Sequence, residues 1–371
     1  MKLTIERAAL LKSLGHVQSV VERRNTIPIL SNVKIEAGDG AVCLNATDMD
    51  LDIVEQAIAD VATPGSTTVS AHTLYDIVRK LPDGAQVSMD GGGDGQVILS
   101  AGRSRFTLAS LPIDEFPVLS GGDLPHQFTV TAAELRSLID RTRFAISTEE
   151  TRYYLNGIYL HCADRDGTAL LRAVATDGHR LASVEIPMPS GAEAMPGVIV
   201  PRKAVAELRK LIDETGDDVN VSLSESKIRF AFDAAVLTSK LIDGTFPDYQ
   251  RVIPEGNDKV MEVDCSGFAA AVDRVSAISS DKSRVIKLSL DGETLVLSAS
   301  SPEHGSATEE LEIVYDGDLL EIGFNSAYLL DVTRQIEGET ARFTMADAAS
   351  PTVMQEMDDA SALYVLMPMR V

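Results

Sequence analysis

The feature that most limits what this chain can fold into is a unit that occurs three times. Across residues 127–146 a strand-like triplet, Phe128-Thr129-Val130, runs into a helical stretch with apolar residues at Leu135, Ile139 and Ile146. Leu3-Thr4-Ile5 is followed in the same way by Leu10, Leu14 and Val21. Met261-Glu262-Val263 is followed by Phe268, Val272 and Ser279, with Val275 and Ile278 beside it. A second unit recurs in tighter register: Leu74-x-Asp76-Ile77-x-Arg79-x-Leu81, Val205-x-Glu207-Leu208-x-Lys210-x-Ile212 and Leu329-x-Asp331-Val332-x-Arg334-x-Ile336. A period of roughly 124 residues is too long for a solenoid repeat and fits a small domain. The 371-residue chain therefore reads as three domains of one design.

Each repeat holds two strand–helix halves, which predicts an α+β domain with two helices packed on antiparallel sheets. Helices are expected over 6–24, 71–80, 131–143 and 201–212 in the first two repeats, and strands over 30–37, 41–45 and 51–57 in the first. Pro/Gly/Asp-rich passages at 119–125 and 254–258 read as linkers, giving domains 1–122, 126–254 and 258–371. The first two repeats end alike, with Phe106-Thr107-Leu108 leading to Leu111-Pro112 and Phe116-Pro117, and Leu237-Thr238-Ser239 leading to Leu241-Ile242 and Phe246-Pro247. The third ends instead on the apolar tail 363–371, with Met367 and Met369.

Charge is distributed unevenly. The chain carries a formal net charge of −23, which taken as a uniform property would speak against nucleic-acid binding. The predicted helices of the first two repeats are nonetheless net positive, through Arg7, Lys12, Arg23, Arg24, Arg79, Lys80, Arg136, Arg141, Arg143, Arg202, Lys203, Arg209 and Lys210. A cationic helical face on an acidic molecule suits a wall around a polyanion, touching phosphates without reading sequence. Three such domains spanning half a circle would need a second copy to close the ring. The three cysteines, Cys43, Cys162 and Cys265, are far apart and read as reduced residues of a cytoplasmic protein. No apolar run approaches the roughly 20 residues of a membrane span, and the opening residues start a strand pattern with no signal peptide.

The residues also resemble a known family. Ile27-Pro28-Ile29-Leu30, Gly102-Arg103-Ser104-Arg105-Phe106, Arg152-Tyr153-Tyr154-Leu155-Asn156-Gly157, Ala175-Thr176-Asp177-Gly178-His179-Arg180-Leu181, Val200-Pro201-Arg202-Lys203, Thr238-Ser239-Lys240-Leu241, Phe246-Pro247-Asp248-Tyr249 and Met367-Pro368-Met369-Arg370 are similar to the bacterial sliding clamps, beta subunits of DNA polymerase III. The resemblance runs in order from Met1 to Val371. It implies a half-ring that closes as a head-to-tail homodimer, with helices lining the hole. Such a clamp surrounds double-stranded DNA without sequence preference and is a non-catalytic processivity factor with no cofactor and no metal. It tethers the polymerase catalytic subunit, the clamp loader and repair proteins through short peptide motifs.

Carried over residue by residue, the resemblance implies a peptide pocket at Leu155, Thr176, Gly178, His179, Arg180, Leu181, Pro247, Arg251 and Val252, with Val365, Leu366, Met367, Pro368, Met369 and Arg370 from the tail. Apolar walls offer burial at roughly 25 cal/mol per Å², and methionine adapts to different ligands. DNA contacts are implied at Arg24, His72, Arg79, Glu149, Arg152, Tyr153, Tyr154, Arg202 and Lys203. His72, Thr73, Glu149 and Glu150 differ from the basic or neutral residues expected near DNA, as do Pro351 near the pocket and Ser279 at the dimer contact from the residues expected there. The dimer contact is implied at Arg103, Arg105, Phe106 and Leu108, meeting Ile278, Glu303 and Glu309.

Read without the resemblance, Asp177-Gly178-His179 is a tight turn, and the Met-rich tail is an edge strand completing a core. The Gly91–Gly95 stretch has no following helix, so it reads as a turn rather than a phosphate loop. An alternative from another class is a metal-dependent hydrolase using Asp177, His179 and Asp248; a structural filament would instead assemble without closure.

Overall fold

The computed structural model describes residues 1–93, 95–119, 122–213, 218–279 and 284–371. Asp94, within the expected glycine-rich turn, lies outside the described residues, as do 120 and 121 of the first expected linker. The first repeat runs β1 (Lys2–Glu6), α1 (Arg7–Val17), β2 (Asn32–Gly38), β3 (Ala41–Thr47), β4 (Leu51–Ile58), β5 (Asp60–Thr63), β6 (Gly65–Ser70), α2 (Ala71–Lys80), β7 (Gln86–Gly93), β8 (Gln96–Ala101) and β9 (Ser104–Ala109). The second runs β10 (His126–Thr131), α3 (Ala132–Asp140), β11 (Gly157–Arg165), β12 (Thr168–Thr176), β13 (Arg180–Pro187), β14 (Val198–Pro201), α4 (Arg202–Asp213), β15 (Asp218–Leu223), β16 (Lys227–Ala231) and β17 (Ala235–Lys240). The third runs β18 (Lys259–Asp264), α5 (Cys265–Ser276), β19 (Val285–Asp291), β20 (Thr294–Ser301), β21 (Gly305–Glu312), β22 (Val314–Tyr315), β23 (Leu320–Asn325), α6 (Ser326–Thr333), β24 (Thr340–Met345), β25 (Thr352–Glu356) and β26 (Ala362–Leu366).

Strand passes into helix with no intervening loop, because the residue that closes the strand caps the helix. Glu6 accepts from the Ala9 N–H, Ser70 from Thr73, Asp264 from Gly267 and Asn325 from Ala327. Thr131 and Glu134 form a reciprocal capping box, at 3.1 Å and 3.0 Å. Helix α1 stops at Val17, well short of the expected 6–24. The apolar period continues through Val20 and Val21, but the Ser19 hydroxyl takes the His16 carbonyl at 2.7 Å and the chain leaves the helix. Helix α3 likewise ends at Asp140 rather than 143, with the Thr142 hydroxyl on the Leu138 carbonyl. Helices α2 and α4 fall at their expected places.

The chain divides into two compact units, Met1–Arg136 with Pro189–Pro196 and Lys203–Leu241, and Ser137–Met188 with Gly197–Arg202 and Ile242–Val371. Among the described residues the first unit holds a five-stranded sheet, β5-β1-β7-β8-β9, and an eight-stranded sheet, β10-β15-β16-β17-β4-β3-β2-β6. The second holds a nine-stranded sheet, β14-β11-β12-β13-β26-β25-β24-β18-β22, and a four-stranded sheet, β21-β20-β19-β23. The large sheets each join strands of two repeats: β17 pairs antiparallel with β4, and β26 with β13. Beneath these sheets, α1 buries Leu10, Leu14 and Val17 and packs on α2, β3 and β4. Complete burial of a side chain such as Leu is worth about 1.5–3 kcal/mol. In the second unit α5 packs on α6, and Phe268 meets Phe343 edge to face at 5.2 Å.

Asp52 lies on the β4–β17 seam opposite Thr238 and is 8% exposed. Burial pushes its carboxyl from 3.8 up to about 6, against the opposing pull of the Asn45 amide, Lys34 and Arg229. Between these values the folded chain holds a proton that the unfolded chain has lost, so stability falls as pH rises through the window. The Asn45 side-chain oxygen is buried with no donor, which an amide at position 52 would supply. Asp52→Asn should raise the thermal midpoint at pH 7.5, equivalent to about 1–3 kcal/mol, and change little at pH 4. Calorimetry at both pH values checks this, and a variant no more stable than the parent at pH 7.5 refutes it.

Candidate peptide pocket and nucleic-acid contacts

The pocket candidates all belong to the second unit, and Thr176, Gly178, His179, Arg180 and Leu181 form or flank the turn between β12 and β13. The Thr176 hydroxyl donates to the Arg180 carbonyl at 2.7 Å and accepts from the Gly178 N–H at 3.1 Å. The Asp177 carboxylate accepts from the backbone N–H groups of His179 and Arg180, at 2.9 Å and 3.0 Å, and from Arg180 Nε at 3.2 Å. Gly178 has φ +89°, a conformation that favours glycine, and the end of the Arg152 side chain lies over it, 2.7 Å from where a Cβ would stand.

Arg180 is held on several sides. Its guanidinium binds Asp331 and the Phe144 carbonyl, and it lies 4.4 Å from the Tyr328 ring centroid and 5.2 Å from that of Phe144. These partners fix the turn, and sequence reasoning did not single out Phe144 or Tyr328 because their contact with Arg180 is long-range. Asp331 carried a signal, as the acidic position of the second repeated unit.

Leu155, Leu181 and Val365 come together in one buried cluster with Val174, Ile199, Phe246 and Tyr249. Leu366 is buried too, but it alternates to the opposite side of β26. Val252 and Met367 are the exposed apolar members, at 47% and 41%. Pro247 and Arg251 are exposed, and Arg251 pairs with Asp248 at 2.7 Å. The tail is strapped down by the Met367 N–H on the His179 carbonyl, 2.9 Å, and the Met369 N–H on the Gly323 carbonyl, 2.8 Å. A side chain at 323 would strike Val371 and the Met369 oxygen, so Gly323 seats the tail. Pro368 and Met369 are half-buried, and Arg370 is exposed.

The DNA candidates occupy varied settings. Arg24 and Arg202 are exposed, and the Arg202 N–H donates to the Asn156 carbonyl at 2.9 Å. Both ring nitrogens of His72 are engaged within the protein, with Gln18 Oε1 and the Val21 carbonyl, each at 2.9 Å. Arg79 pairs with Asp76 at 3.1 Å. Arg152 pairs with Glu149 at 2.7 Å and so lies against the Gly178 turn as well. Lys203 is held by Asp48, by Glu22 at 3.7 Å and by the Val20 carbonyl at 3.1 Å. Tyr153 is 53% exposed and meets the half-buried Tyr154 edge-on at 5.8 Å.

Of the dimer candidates, Arg103 and Arg105 are exposed and Phe106 and Leu108 are half-buried, with β9 at the edge of its sheet. Strand β21 is also an edge; Glu303 is exposed in the turn before it, and Glu309 on it pairs with Arg274. Ile278 is half-buried just after α5. The hydrolase alternative finds no support. The Asp177 carboxylate is spent on its own turn, Asp248 is paired with Arg251, and His179 stacks on Tyr328. Among the described residues no group of three or more His, Cys, Asp or Glu could hold a metal ion. No described helix is long and apolar enough to cross a membrane.

Family models described as the N-terminal, central and C-terminal domains of the DNA polymerase III beta subunit match residues 1–120, 129–248 and 250–370. The beta sliding clamp of Caulobacter vibrioides is 56% identical and that of Pseudomonas aeruginosa 41%, each over 372 residues and covering 100% of both chains. A Caulobacter crescentus beta sliding clamp crystallised with PEG bound superposes with TM-score 0.98 at 56% identity, covering 100% of this chain and 99% of that one. A Bartonella birtlesii sliding clamp bound to griselimycin superposes with TM-score 0.97 at 50% identity, covering 100% of both. With the whole chain accounted for in this way, it belongs to the DNA polymerase III beta subunit family, the beta sliding clamps.

Proposed function

We propose that two copies of this chain close head to tail into a ring around duplex DNA, with the helices of three domains, 1–122, 126–254 and 258–371, lining the hole. The ring acts in the cytoplasm as a non-catalytic tether. The polymerase catalytic subunit, the clamp loader and repair proteins dock by short apolar motifs on the pocket of Leu155, Leu181, Val252, Val365 and Met367.

The observation that carries this reading is the repetition of one seam. Strand β17 pairs with β4, and the equivalent β26 pairs with β13. The third strand of each set, β9 and β21, is a sheet edge. An exposed edge of unpaired N–H and C=O groups invites another strand, and a second copy offers the complementary one twice over. The equivalences also supply a register. The Met49, Gly178 and Glu303 N–H groups each bond the side chain of Thr47, Thr176 or Ser301 two residues back. The Ser110 N–H bonds the Gly95 carbonyl as Leu241 bonds Ser226. Within their hairpins Thr47, Thr176 and Ser301 stand opposite Asp52, Leu181 and Gly305, the third turn being one residue shorter. Since Thr238 stands opposite Asp52 and Val365 opposite Leu181, Thr107 of one copy should stand opposite Gly305 of the other. Phe106 then faces Ser306, Ser104 faces Thr308, and Arg103 reaches the acid at Glu309.

Three outcomes test the proposal. Under oxidation, Ser104→Cys/Thr308→Cys should give a covalent dimer on a non-reducing gel, directly opposite strand residues being close enough for a disulfide. The one-residue-shifted Ser104→Cys/Ala307→Cys should not, and a ladder of higher species would indicate open-ended assembly. The dimer, once loaded, should stay on nicked circular DNA and slide off after linearisation; equal retention on both would mean adhesion rather than encirclement. Deleting residues 367–371 should weaken binding of a polymerase clamp-binding peptide at least tenfold, about 1.4 kcal/mol, with the dimer intact. Unchanged peptide affinity refutes the pocket.

A further inference from the structure

The loop that carries Pro247, Arg251 and Val252 is fastened to the sheet behind it through one hydroxyl. Tyr249 is 5% exposed, and its oxygen lies 3.0 Å from His161 Nε2 and 2.9 Å from Arg172 Nη1. The donors and acceptors are determined. His161 Nδ1 is 2.7 Å from the Cys162 carbonyl oxygen, which can only accept. Nδ1 therefore bears the proton, and Nε2 accepts from the Tyr249 O–H. The tyrosine oxygen in turn accepts from Arg172, whose Nε donates to Glu185 at 2.6 Å. Glu185 also pairs with Arg165 at 3.2 Å.

Four rings close around this hydroxyl. Phe246 stacks on Tyr159 at 4.8 Å, and Tyr159 stacks on His161 at 4.6 Å. His161 meets Tyr249 at 5.8 Å, and Tyr249 meets Phe246 at 6.4 Å. Tyr159 and His161 stand on β11, while Phe246 and Tyr249 belong to the loop. The loop's anchorage at Tyr249 is thus aromatic packing plus two hydrogen bonds, of which the one to His161 needs a neutral imidazole.

We propose that His161 is a positioning residue for peptide docking: in its neutral form it orders the 247–252 wall through Tyr249, and on protonation it releases that wall. The charged and titratable groups facing it are Tyr159 and Cys162 on its own strand, Arg172 on β12, Glu185 on β13, Arg165 at the end of β11, and Tyr249 from the loop. A protonated His161 would present a second N–H to a tyrosine oxygen already taken by Arg172, and would set two cations side by side. Burial first, then the Arg172 charge, hold the imidazole below its ordinary value, against the Cys162 carbonyl and Glu185, which favour the charged form. The neutral form therefore prevails at pH 7.5, and release belongs to mild acid.

This inference rests on the peptide-pocket reading, and one experiment separates the two. Affinity for a tetramethylrhodamine-labelled polymerase clamp-binding peptide free of His, Asp and Glu is measured by anisotropy from pH 5 to 8. The parent should bind about tenfold more weakly at pH 5 than at pH 7.5, a change of about 1.4 kcal/mol. Tyr249→Phe should bind roughly three- to tenfold more weakly at pH 7.5, the scale of one lost net hydrogen bond, with a flattened profile. His161→Gln keeps an acceptor near Nε2 but cannot take the charge, so it should restore parent-like affinity at pH 7.5 with a flat profile. A pH dependence that persists in His161→Gln belongs to another group, such as the exposed His179, and overturns the proposal. Parent-like affinity and profile in Tyr249→Phe overturn it too. Failure of the parent to bind at pH 7.5 overturns the pocket reading itself, and this inference with it.

Discussion

Main-chain pairing between repeats is the constraint on which the rest depends. A repeat of this design ends on a strand whose outer N–H and C=O groups have no partner inside the repeat, and leaving them bare exposes an adhesive edge. At two places the chain resolves this by continuing one repeat's sheet into the next, β17 onto β4 and β26 onto β13. The large sheets are therefore shared between repeats, and the middle repeat contributes to both compact units. A linear series of three such repeats has two seams and leaves two seam strands, β9 and β21, without their counterparts. Closure by a second copy, as proposed above, would pair both of these strands and form no filament.

The two internal seams have the same backbone and opposite chemistry. In both, a Thr hydroxyl and an Asp carboxylate build the turn, and the strand from the neighbouring repeat adds a backbone bond to it, Lys240 N–H to Asp50 O and Met367 N–H to His179 O. The first seam places Asp52, Thr238 and Lys240 where the second places Leu181, Val365 and Met367. It also carries ion pairs, Lys203 with Asp48 and Lys240 with Asp50. An apolar motif gains little from displacing water over such a surface, because the polar groups would lose their partners. The second seam offers a dry cluster backed by Phe246 and Tyr249. Side chains alone thus confine the proposed docking site to one seam, although the turn that frames it is a general feature of the repeat.

What the sequence disclosed follows the range over which each signal acts. The triplication, the strand–helix alternation and the places of α2 and α4 were legible because period and cap lie within a dozen residues, as in Thr131 with Glu134. Helix α1 was overextended because Val20 and Val21 keep the apolar period after the backbone has left the helix. The seams were invisible, since nothing local in β17 specifies β4 as its neighbour. The same holds for Arg180, whose motif was recognisable but whose partners Phe144, Tyr328 and Asp331 come from distant segments. Tyr249 stood within a recognised run, Phe246 to Tyr249, yet its tie to His161 and Arg172 needed three dimensions.

Ion pairing on the basic candidates bears on how an acidic chain could tolerate a polyanion. Arg79, Arg152 and Lys203 each carry a carboxylate partner within the fold. Solvent-exposed pairs such as Arg79 with Asp76 are worth about 0–1 kcal/mol, so a phosphate can replace the carboxylate there at small net gain or cost. Contacts so nearly balanced would hold DNA weakly and exchange quickly from one phosphate to the next. Weak contact would be a defect in a protein that held DNA by affinity. In the proposed ring retention would come from topology, and low affinity at the wall would let the ring move along the helix.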